Sequence, residues 1–141
     1  MSDFLIDTNV ISEVLRSIPD AQVVAWSQNI PKERLFLSVV SFGEMRKGLT
    51  IMPAGARRSQ LERAIDGLIP AWFAGRIMPM SQTIAERWGV LEGQRQIMGR
   101  PLHVPDAQIA ATALEHGLTL VTRNVKDFEG IGVTILNPWN Q

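Results

Sequence analysis

Three carboxylates, Asp7, Glu44 and Asp106, fall at or near places where apolar runs give way to helix starts, and their type and placement suit the holding of a divalent cation. Mg²⁺ is a hard ion that takes about six oxygen ligands, usually a few carboxylates completed by water and substrate phosphate. Held in this way, such an ion activates water for in-line attack on a phosphodiester and neutralises charge in the transition state, so no His, Ser or Cys nucleophile is needed. Each acid also has an ordinary structural role open to it. Asp7 follows the apolar run Phe4-Leu5-Ile6 and suits a helix N-cap. Ser41-Phe42-Gly43-Glu44 has capping-box spacing, with Glu44 at the third helical position. Asp106, next to Pro105, lies where a negative charge favours a helix start. Asn124 and Asp127 are either turn residues or a further oxygen donor.

These residues need a scaffold that gathers them. The run Phe4-Leu5-Ile6 reads as a short buried strand, followed by a helix from about Thr8 to Ser17. Val23, Val24 and Trp26 belong to a second helical stretch closed by Pro31, and Leu35-Phe36-Leu37 is the next buried strand, with Ser41 opening the helix after it. From Arg57 to Phe73, Leu61, Ile65, Leu68, Ile69 and Trp72 recur at helical spacing, and Pro70 is expected to kink or divide that helix. Ile77-Met78 is a short strand, and Ile84, Trp88 and Leu91 mark one face of a helix from Ser81 to about Met98. Pro105 suits the first turn of a helix over Asp106 to Leu114, and Gly117 its C-terminal stop. Strands from Leu118 to Val121 and from Val133 to Leu136 complete the chain. Strands separated by helices predict an α/β fold, a mainly parallel sheet of four or five short strands covered on both faces. In such a sheet the ligand crevice lies beyond the carboxyl ends of the strands, the edge to which Asp7, Glu44, Asp106 and the 124–127 segment are all delivered.

Composition bounds the rest. A length of 141 residues fits one domain, residues 1–141, able to bury roughly two thirds of its unfolded surface. Cysteine is absent, which removes disulfides, thiolate nucleophiles and cysteine-ligated metal, and fits a reducing compartment. The acidic start and its three-residue apolar run do not make a signal peptide, and no stretch approaches a membrane span, so a cytoplasmic protein with no membrane contact is expected. Lys plus Arg balance Asp plus Glu at 14 each; with four acids sequestered around a cation, ten face fourteen bases, and the remaining surface is basic enough to meet phosphate. Arg57, Arg58 and Arg63 form the densest basic segment, read as a solvated helix face, whereas Arg123 and Lys126 flank the acidic edge, where phosphate contacts are useful. His103 and His116 have no partner suggested by sequence and are not assigned to catalysis. The chain reads Asp7-Thr8-Asn9 where the aspartyl-phosphate design of small phosphatases needs Asp-x-Asp, which counts against that enzyme class.

Taken in order, Leu5-Ile6-Asp7-Thr8-Asn9-Val10, Glu44 within Ser41 to Gly48, Pro105-Asp106-Ala107-Gln108-Ile109-Ala110-Ala111-Thr112-Ala113 and Leu120 to Phe128 resemble a PIN domain. With the tail Ile135-Leu136-Asn137-Pro138-Trp139, the resemblance is to the VapC and FitB-type toxins of bacterial toxin–antitoxin pairs, over nearly the whole chain. It implies a Mg²⁺-dependent endoribonuclease, with Mn²⁺ as substitute, in which Asp7 and Asp106 are the principal metal ligands and Glu44 completes the triad. A fourth acid is frequent in the last motif; here Asn124 holds that place and Asp127 lies three residues on, so either is the fourth ligand, and the neutral Asn124 favours one tightly bound ion over two. Thr8 and Thr122 are implied to position water or a phosphate oxygen, with Arg123 beside them. The resemblance also implies a homodimer and a small cognate antitoxin whose C-terminal segment fills the active-site groove. The apolar helical stretches Leu61 to Trp72 and Ile84 to Leu91 are where these contacts are expected. A noncatalytic PIN-like module that binds RNA or protein is the alternative.

Overall fold

The computed structural model describes residues 3–140. Five strands form one all-parallel sheet: β1 (Phe4–Ile6), β2 (Leu35–Ser38), β3 (Ile77–Met78), β4 (Thr119–Val121) and β5 (Ile135–Leu136), in the spatial order β3-β2-β1-β4-β5. This is the parallel α/β fold expected. The connection from β1 leads away to β2 and β3 on one side, and the chain then crosses back to place β4 and β5 on the other. The order therefore reverses beside β1, and the crevice between the carboxyl ends of β1 and β4 is the place where such sheets bind ligands.

Side chains alternate across the sheet with the period of two that strands impose. Phe4, Ile6, Leu35, Leu37 and Val121 face one core, where they meet Val10 and Ile11 of α1 (Thr8–Val14), Val23 and Trp26 of α2 (Ala21–Asn29), and Met45 and Leu49 of α3 (Val39–Ile51). Ile65, Ile69 and Phe73 close the same core from the stretch that comprises α4 (Ala56–Arg63), a wider turn over Ala64–Leu68 and α5 (Ile69–Trp72). Leu5 and Leu120 face the opposite core, built by α6 (Gln82–Ile97) and α7 (Val104–His116). Ala107, Ala110, Ala111 and Ala113 are wholly buried, and such small side chains let α7 lie close to the sheet. The helix ends at Gly117, whose φ of 64° is the left-handed conformation that a residue lacking Cβ adopts without strain.

One expectation about the helices is met and one changes. The helix foreseen from Arg57 to Phe73 is interrupted by a π-helical turn over Ala64–Leu68, just before Pro70. Pro70 has no N–H to give and its ring crowds the carbonyl four residues back, so the chain widens there. The helix expected to open at Ser41 opens at Ser38 instead, with the Ser38 hydroxyl accepting from the Val40 N–H at 3.1 Å. Val39 and Val40 hide this start, since β-branched residues suit a strand as well as a first turn. Glu44 is thus in the second turn, not in a capping box. Among the described residues no helix is long and apolar enough to cross a membrane.

Candidate active site

The site begins at Asp7, the residue immediately after β1. Its N–H stays in the sheet, donating to the Val121 carbonyl at 2.9 Å, while its side chain leaves the strand as the N-cap of α1 and accepts from the Thr8 N–H at 2.7 Å. The other carboxylate oxygen accepts from the Thr122 hydroxyl at 2.7 Å, across the mouth of the β1–β4 crevice. Thr122 is fully enclosed, and its oxygen in turn accepts from Asn9 Nδ2 at 3.2 Å and from the Asn124 N–H at 3.1 Å. Capping and a role in a site are therefore not alternatives for Asp7. The cap aims one oxygen and Thr122 aims the other.

Glu44 arrives from α3 on the far side of α1. Thr8 Oγ1 donates to Glu44 Oε1 at 2.6 Å and lies 2.8 Å from the hydroxyl of the buried Ser41. A carboxylate only accepts and Thr8 has one hydroxyl proton, so Ser41 donates to Thr8, which donates to Glu44. This short relay aims the acid, and both threonine protons of the site are committed to carboxylates. Asp106 is in the first turn of α7 and half-buried.

Electrostatics tie the acids together. Burial pushes the Asp7 carboxyl up to about 6, against the lowering effect of the Thr122 and Thr8 bonds, and the charges of Asp106 and Glu44 push it further the same way. Asp106 is raised as well, first by burial, then by the charges of Glu44 and Asp127, with His103 opposing. Among the described residues none of these four carboxylates forms an ion pair with Lys or Arg. The donors are all oxygen, no Lys or Arg among the described residues pairs with them, and Asp7 is only 3% exposed, so a hard divalent cation fits this set. Among the described residues no three acids, imidazoles or thiols close into a ready-made cage.

The last segment supplies the remaining candidates. Asn124 stands at the N-cap of the 3-10 turn Val125–Phe128 without a side-chain cap bond. Asp127, within that turn, is the residue whose charge reaches Asp106. Arg123 is exposed beside Thr122, with its N–H on Asn9 Oδ1 at 3.4 Å and its guanidinium over the Trp139 ring, 5.1 Å from the centroid.

Comparison with protein-family models matches residues 4–132 to the PIN domain. The chain belongs to that family. Over 96% of its length this PIN domain is 38% identical to the VapC ribonuclease Y4jK of Sinorhizobium fredii, of which 96% is covered. It is 35% identical to toxin FitB of Neisseria gonorrhoeae, with 96% of this chain and 98% of that protein aligned. The crystal structure of FitAcB from Neisseria gonorrhoeae superposes with a TM-score of 0.89 at 35% identity, covering 98% of this chain and 99% of the other.

One residue of this PIN domain's site region went unmarked in the sequence. Arg95 is 4% exposed, and its guanidinium donates from Nε to the Arg100 carbonyl at 2.7 Å and from Nη1 to the Asp127 carbonyl at 3.0 Å. It fastens the end of α6 to the turn that bears Asp127. Its signal was present: Ile84, Trp88, Leu91 and position 95 share one helix face, and an Arg in that stripe is out of pattern. Arg95→Met should leave both carbonyls without a donor and lower the unfolding free energy by about 1–3 kcal/mol, read as a lower urea midpoint at unchanged slope.

Proposed function

We propose that this chain is a Mg²⁺-dependent endoribonuclease that hydrolyses RNA phosphodiester bonds, the toxin of a type II toxin–antitoxin pair. The observation that carries the reading is the convergence of Asp7, Glu44 and Asp106 at the β1–β4 crevice, close enough that the charge of Glu44 acts on both aspartates and that of Asp106 on Asp7, with no Lys or Arg ion pair among the described residues to offset them. The similarity to a VapC ribonuclease and to toxin FitB supports the substrate class.

In this reading Asp7 and Asp106 hold the cation, Glu44 completes the triad, and Asp127, whose charge reaches Asp106, is favoured over Asn124 as the fourth donor. A divalent cation, when bound, supplies positive charge that offsets the phosphate and makes an attacking water more acidic. Thr122 and the Thr8 N–H keep the two Asp7 oxygens fixed, so the ligand costs little reorganisation. The Ser41–Thr8 relay does the same for Glu44. Arg123, whose guanidinium carbon lies over the Trp139 ring, presents its charge beside the site, suited to a phosphate oxygen of the bound strand.

A small antitoxin is the proposed inhibitor and a second copy of the chain the proposed partner. Leu68 is 62% and Trp72 39% exposed at an apolar groove of about 470 Å³ whose wall includes Ile11, Val14 and Trp26, which suits an apolar antitoxin segment. On α6, Val90 and Ile97 are 57% and 88% exposed, an apolar edge open to a second copy.

Purified protein should cleave single-stranded RNA with Mg²⁺ or Mn²⁺ and stop on chelation, as read on a denaturing gel. Cleavage that survives chelator would sink the metal mechanism. Absence of Mn²⁺ uptake at millimolar concentration in calorimetry would instead favour a noncatalytic binding module.

A further inference from the structure

The basic segment of α4 does not simply face solvent. Arg57 stands at one end of a groove of about 250 Å³ between α1, α3 and α4, and the other end is walled by Thr8 and Glu44 of the acid cluster. Met45 and Met52 lie along the groove, and Gly48 lines it with space to spare, since a Cβ there would meet nothing within 4 Å. Arg57 is anchored by donating Nη2 to the Leu15 carbonyl at 2.6 Å, and Arg58 donates to the Met52 carbonyl at 3.3 Å. Among the described residues neither arginine forms an ion pair, so their charge at this end is uncompensated.

We propose that this groove is a nucleotide subsite, which takes the base next to the scissile phosphate of a single-stranded RNA on its methionine wall and the following phosphate at Arg57. The inference rests on the ribonuclease reading and extends it along the strand. The groove is polarised along its length. At the Glu44 end a phosphate is admitted together with the divalent cation that the carboxylates call for, and at the far end a second phosphate meets a fixed guanidinium. A cationic peptide suits the acid end but is opposed by Arg57 and Arg58, whereas an RNA strand with its cation suits both. Thioether side chains are soft and adaptable, so the wall accepts a base without reading its edge, and the subsite contributes affinity and register more than sequence choice.

Two substitutions probe the groove without touching the carboxylates. Gly48→Met fills it from a helix interior where Met is the better helix former, and Arg57→Gln removes the charge. Full-length protein with its carboxylates intact is titrated in Mg²⁺ by anisotropy against a short fluorescein-labelled single-stranded RNA with a phosphorothioate backbone, which keeps the charge and resists cleavage, with thermal melts to verify folding. Gly48→Met is expected to weaken binding about tenfold with an unchanged salt slope. Arg57→Gln is expected to weaken it and to lower the slope of log K against log salt by about 0.7, the value of one single-strand phosphate contact. The proposal is overturned by failure of the protein without either groove substitution to bind this RNA, or by affinities and slopes unaltered in both variants. It is equally overturned when Gly48→Met spares RNA but abolishes binding of the antitoxin's C-terminal peptide, which assigns the groove to protein. Cleavage by the unsubstituted protein is scored separately. Normal cleavage with unaltered RNA binding in the variants removes the subsite and keeps the ribonuclease, while altered binding without any cleavage does the reverse.

Discussion

Replacing Asp106 with Asn will lower Mn²⁺-dependent RNA cleavage by about 10²–10³-fold or more, the range seen when one electrostatic contributor is removed from a transition-state site. The substitution keeps the shape of the side chain and its place in the first turn of α7, and removes one negative charge from a set whose members already repel one another. Its structural cost is therefore confined to a weaker helix-dipole contact of about 0.3–1 kcal/mol. The expected signature is a protein that melts within a few degrees of the original, binds Mn²⁺ much more weakly in calorimetry and turns over almost nothing in a single-turnover assay. An Asp106→Asn protein with full activity would remove Asp106 from the cation site.

Asp7→Asn should abolish activity as well, yet stabilise the metal-free protein at neutral pH. The Asp7 carboxyl is raised from 3.8 to about 6 on folding, chiefly by burial. A raised acid favours the folded state only while it is protonated: the stability it contributes is complete below the unfolded value and is lost as pH climbs through the folded value. Between about pH 4 and pH 6 the metal-free protein should lose on the order of 3 kcal/mol from this group, at about 1.4 kcal/mol for each unit. The amide of the Asp7→Asn protein never charges, so that arm of the stability curve should flatten. It retains the bond from the Thr8 N–H but crowds the Thr122 oxygen with a third donor, which returns part of the gain and leaves about 1–2 kcal/mol at pH 7.5. Urea unfolding of both proteins at pH 5 and 7.5, with chelator, measures this; equal pH dependence in the two would refute the assignment. Mn²⁺ should reverse the order at pH 7.5, because it binds the folded original alone.

The parallel sheet was legible because its strands are short unbroken apolar runs, each followed by a helix, and Gly117 and Pro105 punctuate α7 as their backbones require. Helix starts were less legible. Ser38 and Ser41 are equally good caps on paper, and only the strand that runs up to Ser38 decides between them. For the site, the motif order pointed to Asp7, Glu44 and Asp106, but not to what holds them. The Thr122–Asp7 bond joins residues 115 positions apart and the Thr8–Glu44 bond joins residues 36 apart, and no local pattern encodes either. A role for Asp127 emerges from its charge acting on Asp106, which depends on where the turn after β4 lies relative to the first turn of α7.

The place of β1 at the centre of the sheet has a consequence for synthesis. Its acid is the first of the set to leave the ribosome, yet the hydroxyl that orients it comes 115 residues later, just past a strand that pairs with β1 only after the whole β2–β3 half and the α6–α7 pair exist. A nascent or truncated chain that stops before β4 holds Asp7 and Glu44, and Asp106 once α7 is included, but has no crevice between β1 and β4 and no Thr122 to orient Asp7. In the proposed mechanism, catalytic competence therefore arrives late, with the closure of contacts that span most of the chain. In that mechanism a broken message is expected to yield an inert fragment, not a partial nuclease.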